Sequence, residues 1–187
     1  MLKRWDYLII VTGLPATGKS RFAQSLARQL GLPLLAKDAI KEPLLDELGA
    51  ADAAASRALS DASFAMLFLL APQIPGRALI LEGNFRSGEH EPPFAPLLAD
   101  AAASAQVLCL LDETQRRARL AARDTDPARH AGHRDADAAT SVANAAAHRF
   151  LDLPGARHEL RGDAPDRATN ELILELAHAL RCSQGVP

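Results

Sequence analysis

Residues 7–20 read YLIIVTGLPATGKS, a hydrophobic run that passes directly into Gly13, Leu14, Pro15, Ala16, Thr17, Gly18, Lys19 and Ser20. The unbroken apolar stretch Tyr7–Thr12 suits a parallel strand covered on both faces. After the loop, Lys19–Gly31 carries Phe22, Ala23, Leu26, Ala27 and Leu30 at helical spacing, and Gly31 is a natural stop. Strand, loop and helix together give G-x-x-x-x-G-K-S the context that a phosphate cradle needs. Its glycines let the backbone curl with N–H groups inward, and the helix N-terminus adds partial positive charge. Lys19 is then expected to reach the β- and γ-phosphates of a nucleotide, and the Ser20 hydroxyl to ligate Mg²⁺.

The composition narrows what such a loop serves. At 187 residues the chain is long enough for one domain over 1–187 with a proper core. A net charge of −2 supplies no basic field for long nucleic acid or an anionic membrane. Two distant cysteines, Cys109 and Cys182, form neither a disulfide framework nor a zinc pattern. No apolar run reads as long enough to span a membrane, and the first residues read as too brief for a signal peptide. The expectation is a soluble, cytoplasmic chain, monomeric or weakly dimeric, with a frayed tail at 182–187. Of 21 basic residues only Lys3, Lys19, Lys37 and Lys41 are lysines, so the lysine in the loop answers a demand for a compact point charge.

Short β-type runs alternate with longer helical ones, the pattern of an α/β sheet protein. Strands are expected at Pro33–Ala36, Arg77–Glu82, Gln106–Asp112 and Arg157–Arg161. Helices are expected from Asp38 to about Leu48, over Ala50–Leu70, Glu113–Asp124, Ala136–Phe150 and Asp166–Arg181. The alanine-rich stretches ADAAAS and DAAAS read as helix formers. No N-K-x-D base-reading segment and no motor-type acidic strand end is present, which leaves transfer of a phosphoryl group to a small acceptor.

Candidates for that chemistry fall at strand ends. Asp38 follows the second strand, where a carboxylate can accept the proton of an attacking hydroxyl; it can equally cap the helix that it opens. Glu82 ends the third strand and is a candidate for holding Mg²⁺ through water, with Asn84 and Arg86 beside it as acceptor contacts and Lys41 one turn beyond Asp38. Arg116, Arg119 and Arg123 share a helix face, where guanidinium groups suit charge on a transferring phosphoryl. Pro127 and Gly132 mark a break that can hinge as a lid over 113–150, with Arg129 on the acceptor side. His130-x-x-His133 has no third ligand and is a weak metal motif. Ala50–Leu70 and the loop Gly88–Pro96 are expected to line the acceptor pocket.

GLPATGKS, LLAKDAIKE, LILEGNF, QVLCLLD with Arg119-x-x-x-Arg123, and RHAGH together resemble the AAA-33-type family of P-loop kinases. These are relatives of zeta toxins, chloramphenicol phosphotransferase and the gluconate, shikimate and adenylate kinases. The likeness covers about Leu8 to His133. It implies a P-loop NTPase fold: three layers, α/β/α, around a five-stranded parallel sheet of nucleoside-monophosphate-kinase type, with a helical lid. It implies ATP and Mg²⁺, Asp38 as base or acceptor ligand, and Arg119 and Arg123 as lid arginines. Adenine would sit near Arg161–Pro165, so Arg21, Arg123 and Asp163 join the phosphate loop as nucleotide contacts. Glu82 departs from the Asp of adenylate-kinase-like members. The reading is a kinase of a small-molecule hydroxyl. Its rivals are a nucleotide-sugar or polynucleotide 5′-hydroxyl kinase, and a non-catalytic ATP-binding sensor or scaffold.

Overall fold

The computed structural model describes residues 3–124 and 148–183. Strands β1 (Trp5–Gly13), β2 (Leu34–Ala36), β3 (Ala78–Glu82), β4 (Ala101–Leu110) and β5 (Ala156–Arg161) form one parallel sheet in the order β2-β3-β1-β4-β5. Helices are α1 (Lys19–Leu30), α2 (Lys37–Leu48), α3 (Ala53–Leu70), α4 (Glu91–Ala99), α5 (Glu113–Asp124) and α6 (Asp166–Cys182).

The apolar run of β1 is continuous because both faces of that strand are covered. Tyr7, Ile9 and Val11 share a core with Phe22 and Leu26 of α1 and Leu172, Ile173 and Leu176 of α6. Leu8 and Ile10 point the other way, into a core with Phe64 and Leu67 of α3 and Phe94 and Leu97 of α4. The result is three layers, α/β/α. β1 lies centrally, with β3 on one side and β4 on the other, so the crossovers diverge at its C-terminal edge, where open parallel sheets bind ligands.

Several local expectations need correction. The loop expected at Gly88–Pro96 ends in helix α4, whose Pro92 and Pro93 sit in the N-terminal turn, where no backbone N–H has an intrahelical partner, while Pro96 lies inside the helix. Phe94 and Leu97 supply its buried face. The DAAAS stretch is not helical: Ala101–Ser104 begins β4, paired in register with Trp5–Leu8 of β1. Sheet pairing overrides alanine's helix preference there. The helix expected over Ala136–Phe150 falls mostly outside the described residues, and 148–150 are not helical. The histidine pair His130 and His133, the break at Pro127 and Gly132, and Arg129 also lie outside them.

Another correction concerns α3. With the 3-10 turn that follows, Ala53–Gln73 is long and apolar enough to cross a membrane by length and composition, with a mean hydropathy of 1.3. Ser63, Phe64 and Leu67 of α3 are buried in the core, while Met66 and Leu69 lie exposed along with Arg57 and Asp61. Asp52 caps it, accepting from the Ala55 N–H at 2.8 Å.

Candidate functional site

At the C-terminal edge of the sheet, Val11, Glu82 and Ala36 stand side by side in register on β1, β3 and β2. The chain leaves this row into the phosphate loop after β1, into Gly83 after β3, and into Lys37 and Asp38 at the start of α2. Residues distant in sequence are thereby brought to one edge.

The loop needs unusual backbone angles. Gly13 has φ 147° and Gly18 φ 94°, and a Cβ on Gly13 would run into the Cys109 carbonyl at the end of β4. Ala16, at φ 68°, takes a left-handed conformation despite its side chain. Thr17 holds the turn by donating its hydroxyl to the Leu14 carbonyl at 2.8 Å. Leu14 and Pro15 are half-buried, and α1 starts directly behind Gly18.

Lys19 is buried, its Nζ 3.7 Å from Glu82 Oε1. The Ser20 hydroxyl donates to the same Glu82 oxygen at 3.3 Å. Burial pushes the Glu82 carboxyl above its usual range; the Lys19 ammonium opposes that push and the Asp38 carboxylate adds to it. The Ser20 bond and the Lys37 ammonium also favour the ionised form. Lys19, Ser20, Glu82, Asp38 and Lys37 therefore share one electrostatic neighbourhood. Ser20 and Glu82 are hard oxygen donors, the type that binds Mg²⁺ alongside nucleotide phosphates. Among the described residues no group of three or more His, Cys, Asp or Glu side chains forms a metal cluster.

Asp38 does not cap α2. The cap position is Ala36, without a side-chain bond, and Asp38 lies inside the first turn. Its Oδ1 accepts from Lys37 Nζ at 3.1 Å. Its side chain remains 39% exposed, enough to meet a substrate. Lys41, one turn on, is buried and donates to the Ser56 hydroxyl of α3 at 3.2 Å.

On the other side of the loop is a cleft of about 400 Å³, lined by Thr17, Gly18, Phe22, Arg119, Arg161 and Gly162 among others. Arg119 spans it: Nη2 donates to the Gly162 carbonyl at 3.0 Å and Nη1 to the Ala16 carbonyl at 3.5 Å. A side chain on Gly162 would strike the Thr17 carbonyl, so glycine there lets the loop after β5 close on the phosphate loop. Arg21 is exposed and paired with Asp166 at 3.0 Å. Asp163 is held by Arg161, whose hydrogen bond and charge keep the carboxyl below its ordinary range. Arg123, in the last turn of α5, is half-buried.

The arginine row of α5 separates into different environments. Arg116 is buried against Glu113, at 2.8 and 3.0 Å, and Arg117 bonds the same carboxylate at 2.8 Å. Those bonds, with the two positive charges, bring Glu113 down to about 2. Of the residues expected from the sequence to contact an acceptor, Asn84 is half-buried, and Arg86 pairs with Glu89 at 3.0 Å. The Arg86 backbone N–H donates to His90 Nδ1 at 2.9 Å, and the His90 ring packs on Phe64 with centroids 4.3 Å apart. Burial lowers the His90 pKa, which favours the neutral ring that accepts this bond.

Three site features lacked an assignment in the sequence. Gly162 carries no local signal, because its neighbour Thr17 is distant in the chain. Cys109 lines the cleft as a buried thiol that burial pushes up to about 12, an inert packing group. Lys37 did carry a signal, the rarity of lysine in this arginine-rich chain, but only the fold places it next to Glu82.

The AAA_33 family model, an AAA domain, matches residues 8–153. Among solved structures, a Chloroflexus aurantiacus protein named "putative kinase" is 33% identical over 92% of this chain and 97% of its own, with a TM-score of 0.81. The Mycobacterium tuberculosis APS kinase CysC, in complex with AMPPNP and APS, is 20% identical over 96% and 99%, with a TM-score of 0.58. Chaetomium thermophilum Kti12, in complex with ADP-AlF3, is 16% identical over 92% and 98%, with a TM-score of 0.59. The last two likenesses establish the P-loop NTPase fold alone. No curated protein matches the chain.

Proposed function

The chain belongs to the AAA_33 family, and from that premise we propose that it is a kinase moving the γ-phosphoryl group of ATP to a hydroxyl of a small molecule. The observation that carries the reading is the row Val11, Glu82 and Ala36, which brings the phosphate loop and Asp38 to one edge with Glu82 between them. A module that only held nucleotide would need the loop and the cleft. It would not need a partly exposed carboxylate on the far side of the phosphate position.

In the proposed mechanism the loop N–H groups and Lys19 hold the β- and γ-phosphates. Arg119 closes the base side by joining the Ala16 and Gly162 carbonyls, and Arg123 stands on the same helix. Ser20 and Glu82 would hold Mg²⁺, whose chemistry is to neutralise phosphate charge. The acceptor oxygen attacks the γ-phosphorus in line while the bond from that phosphorus to the β–γ bridging oxygen breaks, its electron pair leaving with ADP. Asp38 orients the acceptor hydroxyl and takes its proton. Lys41, Asn84, Arg86 and Arg129 are proposed as acceptor contacts, and Arg21 and Asp163 as nucleotide contacts.

The test is a metabolite panel scored for acceptor-dependent ADP release, with Lys19→Ala as control. Release by the wild-type chain that Lys19→Ala abolishes supports the reading. Firm ATP binding with no acceptor-dependent release across the panel counts against it.

A further inference from the structure

Lys37 is an unusual side chain to find where it lies. It is 4% exposed, and a buried ammonium is costly unless its charge is met. Among the described residues it makes one hydrogen bond, to Asp38 Oδ1 at 3.1 Å, which occupies one of its three N–H donors. Its Nζ also lies 5.6 Å from the centre of the Phe64 ring, a favourable cation–π placement. The stem is fixed by packing: a Cβ on Gly83 would come within 3.3 Å of Lys37 Cβ and 3.2 Å of both Phe64 and Phe85. Gly83 has no positive φ, so it is small there for the sake of this convergence.

The position of this ammonium follows from the sheet. Ala36 pairs with Glu82, so Lys37 emerges from β2 beside the residue that contacts Lys19 and Ser20. The charges then alternate across the edge, Lys19, Glu82, Lys37 and Asp38, with a lysine on the donor side and a lysine beside the acceptor carboxylate. A rigid cation with unfilled donors at that point matches the demand of phosphoryl transfer, in which charge develops on oxygens that the ground state leaves better solvated.

We infer that Lys37 is a catalytic residue, a second cation of the transfer site whose remaining N–H donors bind oxygen of the transferring phosphoryl group from the acceptor side. The inference rests on the phosphotransfer reading above. No covalent bond to Lys37 forms: the acceptor oxygen bonds to the γ-phosphorus, the β–γ bridging bond breaks toward ADP, and the acceptor proton passes to Asp38. Lys37 stays protonated throughout and lowers the barrier by matching charge that appears only in transit.

The experiment needs no knowledge of the acceptor. ADP affinity, and ADP affinity in the presence of Mg²⁺ and aluminium fluoride, are measured calorimetrically for the wild type, Lys37→Gln and Lys37→Arg, with water in the acceptor's place. Unchanged ADP affinity certifies that a variant is folded at the nucleotide site. Lys37→Gln should keep ADP affinity and lose roughly 10²–10³-fold in affinity for the aluminium fluoride complex, the scale for one oxyanion donor. Lys37→Arg, which keeps the charge with different geometry, should recover part of that loss. Equal losses for ADP and its aluminium fluoride complex would make Lys37 merely structural, and an unchanged fluoride complex in Lys37→Gln would remove it from the reaction. A wild-type chain that binds ADP but gains nothing from Mg²⁺ and aluminium fluoride would instead count against phosphotransfer itself, and the inference would go with it.

Discussion

Replacing Arg119 with methionine isolates the base side of the site. Methionine keeps much of the apolar stem and removes the guanidinium that joins the Gly162 and Ala16 carbonyls. The 3.0 Å bond to Gly162 is a charge-assisted contact, while the 3.5 Å contact to Ala16 sits at the limit of a hydrogen bond. Only the first carries weight, and for a half-buried group about 2 kcal/mol is reasonable. That corresponds to about 30-fold in affinity if the closed wall is what the nucleotide binds. Titration calorimetry with ATP, ADP and AMP distinguishes this wall from the phosphate loop. Arg119→Met should weaken all three nucleotides by similar factors, because each presents the same base. Lys19→Ala should weaken ATP far more than AMP, because the ammonium reaches the outer phosphates. Unchanged AMP affinity in Arg119→Met would refute the clamp and the placement of the base in this cleft.

Gly162→Ala should lower Tm by roughly 4–8 °C, the equivalent of about 2 kcal/mol of overpacking in a chain of this size, and should weaken nucleotide binding with it; thermal shift measured with and without ATP checks both, and a wild-type Tm would show that the two loops do not meet. Gln106 is fully buried and makes three bonds to Leu151 and Leu153, which anchor the chain as it returns to β5. Gln106→Leu removes the partner of the Leu151 N–H and of the Leu153 carbonyl, while the Leu151 carbonyl still accepts from the Leu153 N–H at 2.8 Å, and it should cost on the order of 2 kcal/mol in urea unfolding; a loss below about 1 kcal/mol would mean that water replaces the amide. Glu82 gives a pH signature. Its folded pKa is raised by burial, so its contribution to stability is fully present below the unfolded carboxyl pKa and is lost as pH rises through the folded value. The wild type minus Glu82→Gln difference in unfolding free energy should therefore fall as pH rises from about 4, the range of a free glutamate; a difference that grew with pH would mean that Lys19 outweighs burial.

Local signals made the donor half legible. The glycines, Lys19 and Ser20 sit within eight consecutive residues of the sequence, and an apolar run covered on both faces announces a central parallel strand. The rest depended on contacts between distant residues. Alanine favours helix by propensity, so Ala101–Ser104 misleads until β1 is there to pair with it. Pro92 and Pro93 of α4 look like loop until Phe94 and Leu97 find a core, since a helix start tolerates proline; Pro96 lies inside the helix, which local propensity alone would not place there. Asp38 could be a cap or a site carboxylate on sequence grounds. The Lys37 bond and the entry of the helix at Ala36 remove the cap reading. Arg116 and Arg119 share a face of α5, yet one is held within that helix by Glu113 and the other crosses to the phosphate loop. Spacing tells which side chains are neighbours, and only the packed partners tell what each one does.

The most direct test of the central claim is single-turnover transfer by Asp38→Asn, with an acceptor found in the panel and ATP affinity measured in parallel. The account predicts ATP affinity close to wild type and a transfer rate lower by roughly 10²–10⁴-fold, the range for a positioned acid–base group. Transfer by Asp38→Asn at the wild-type rate would contradict it.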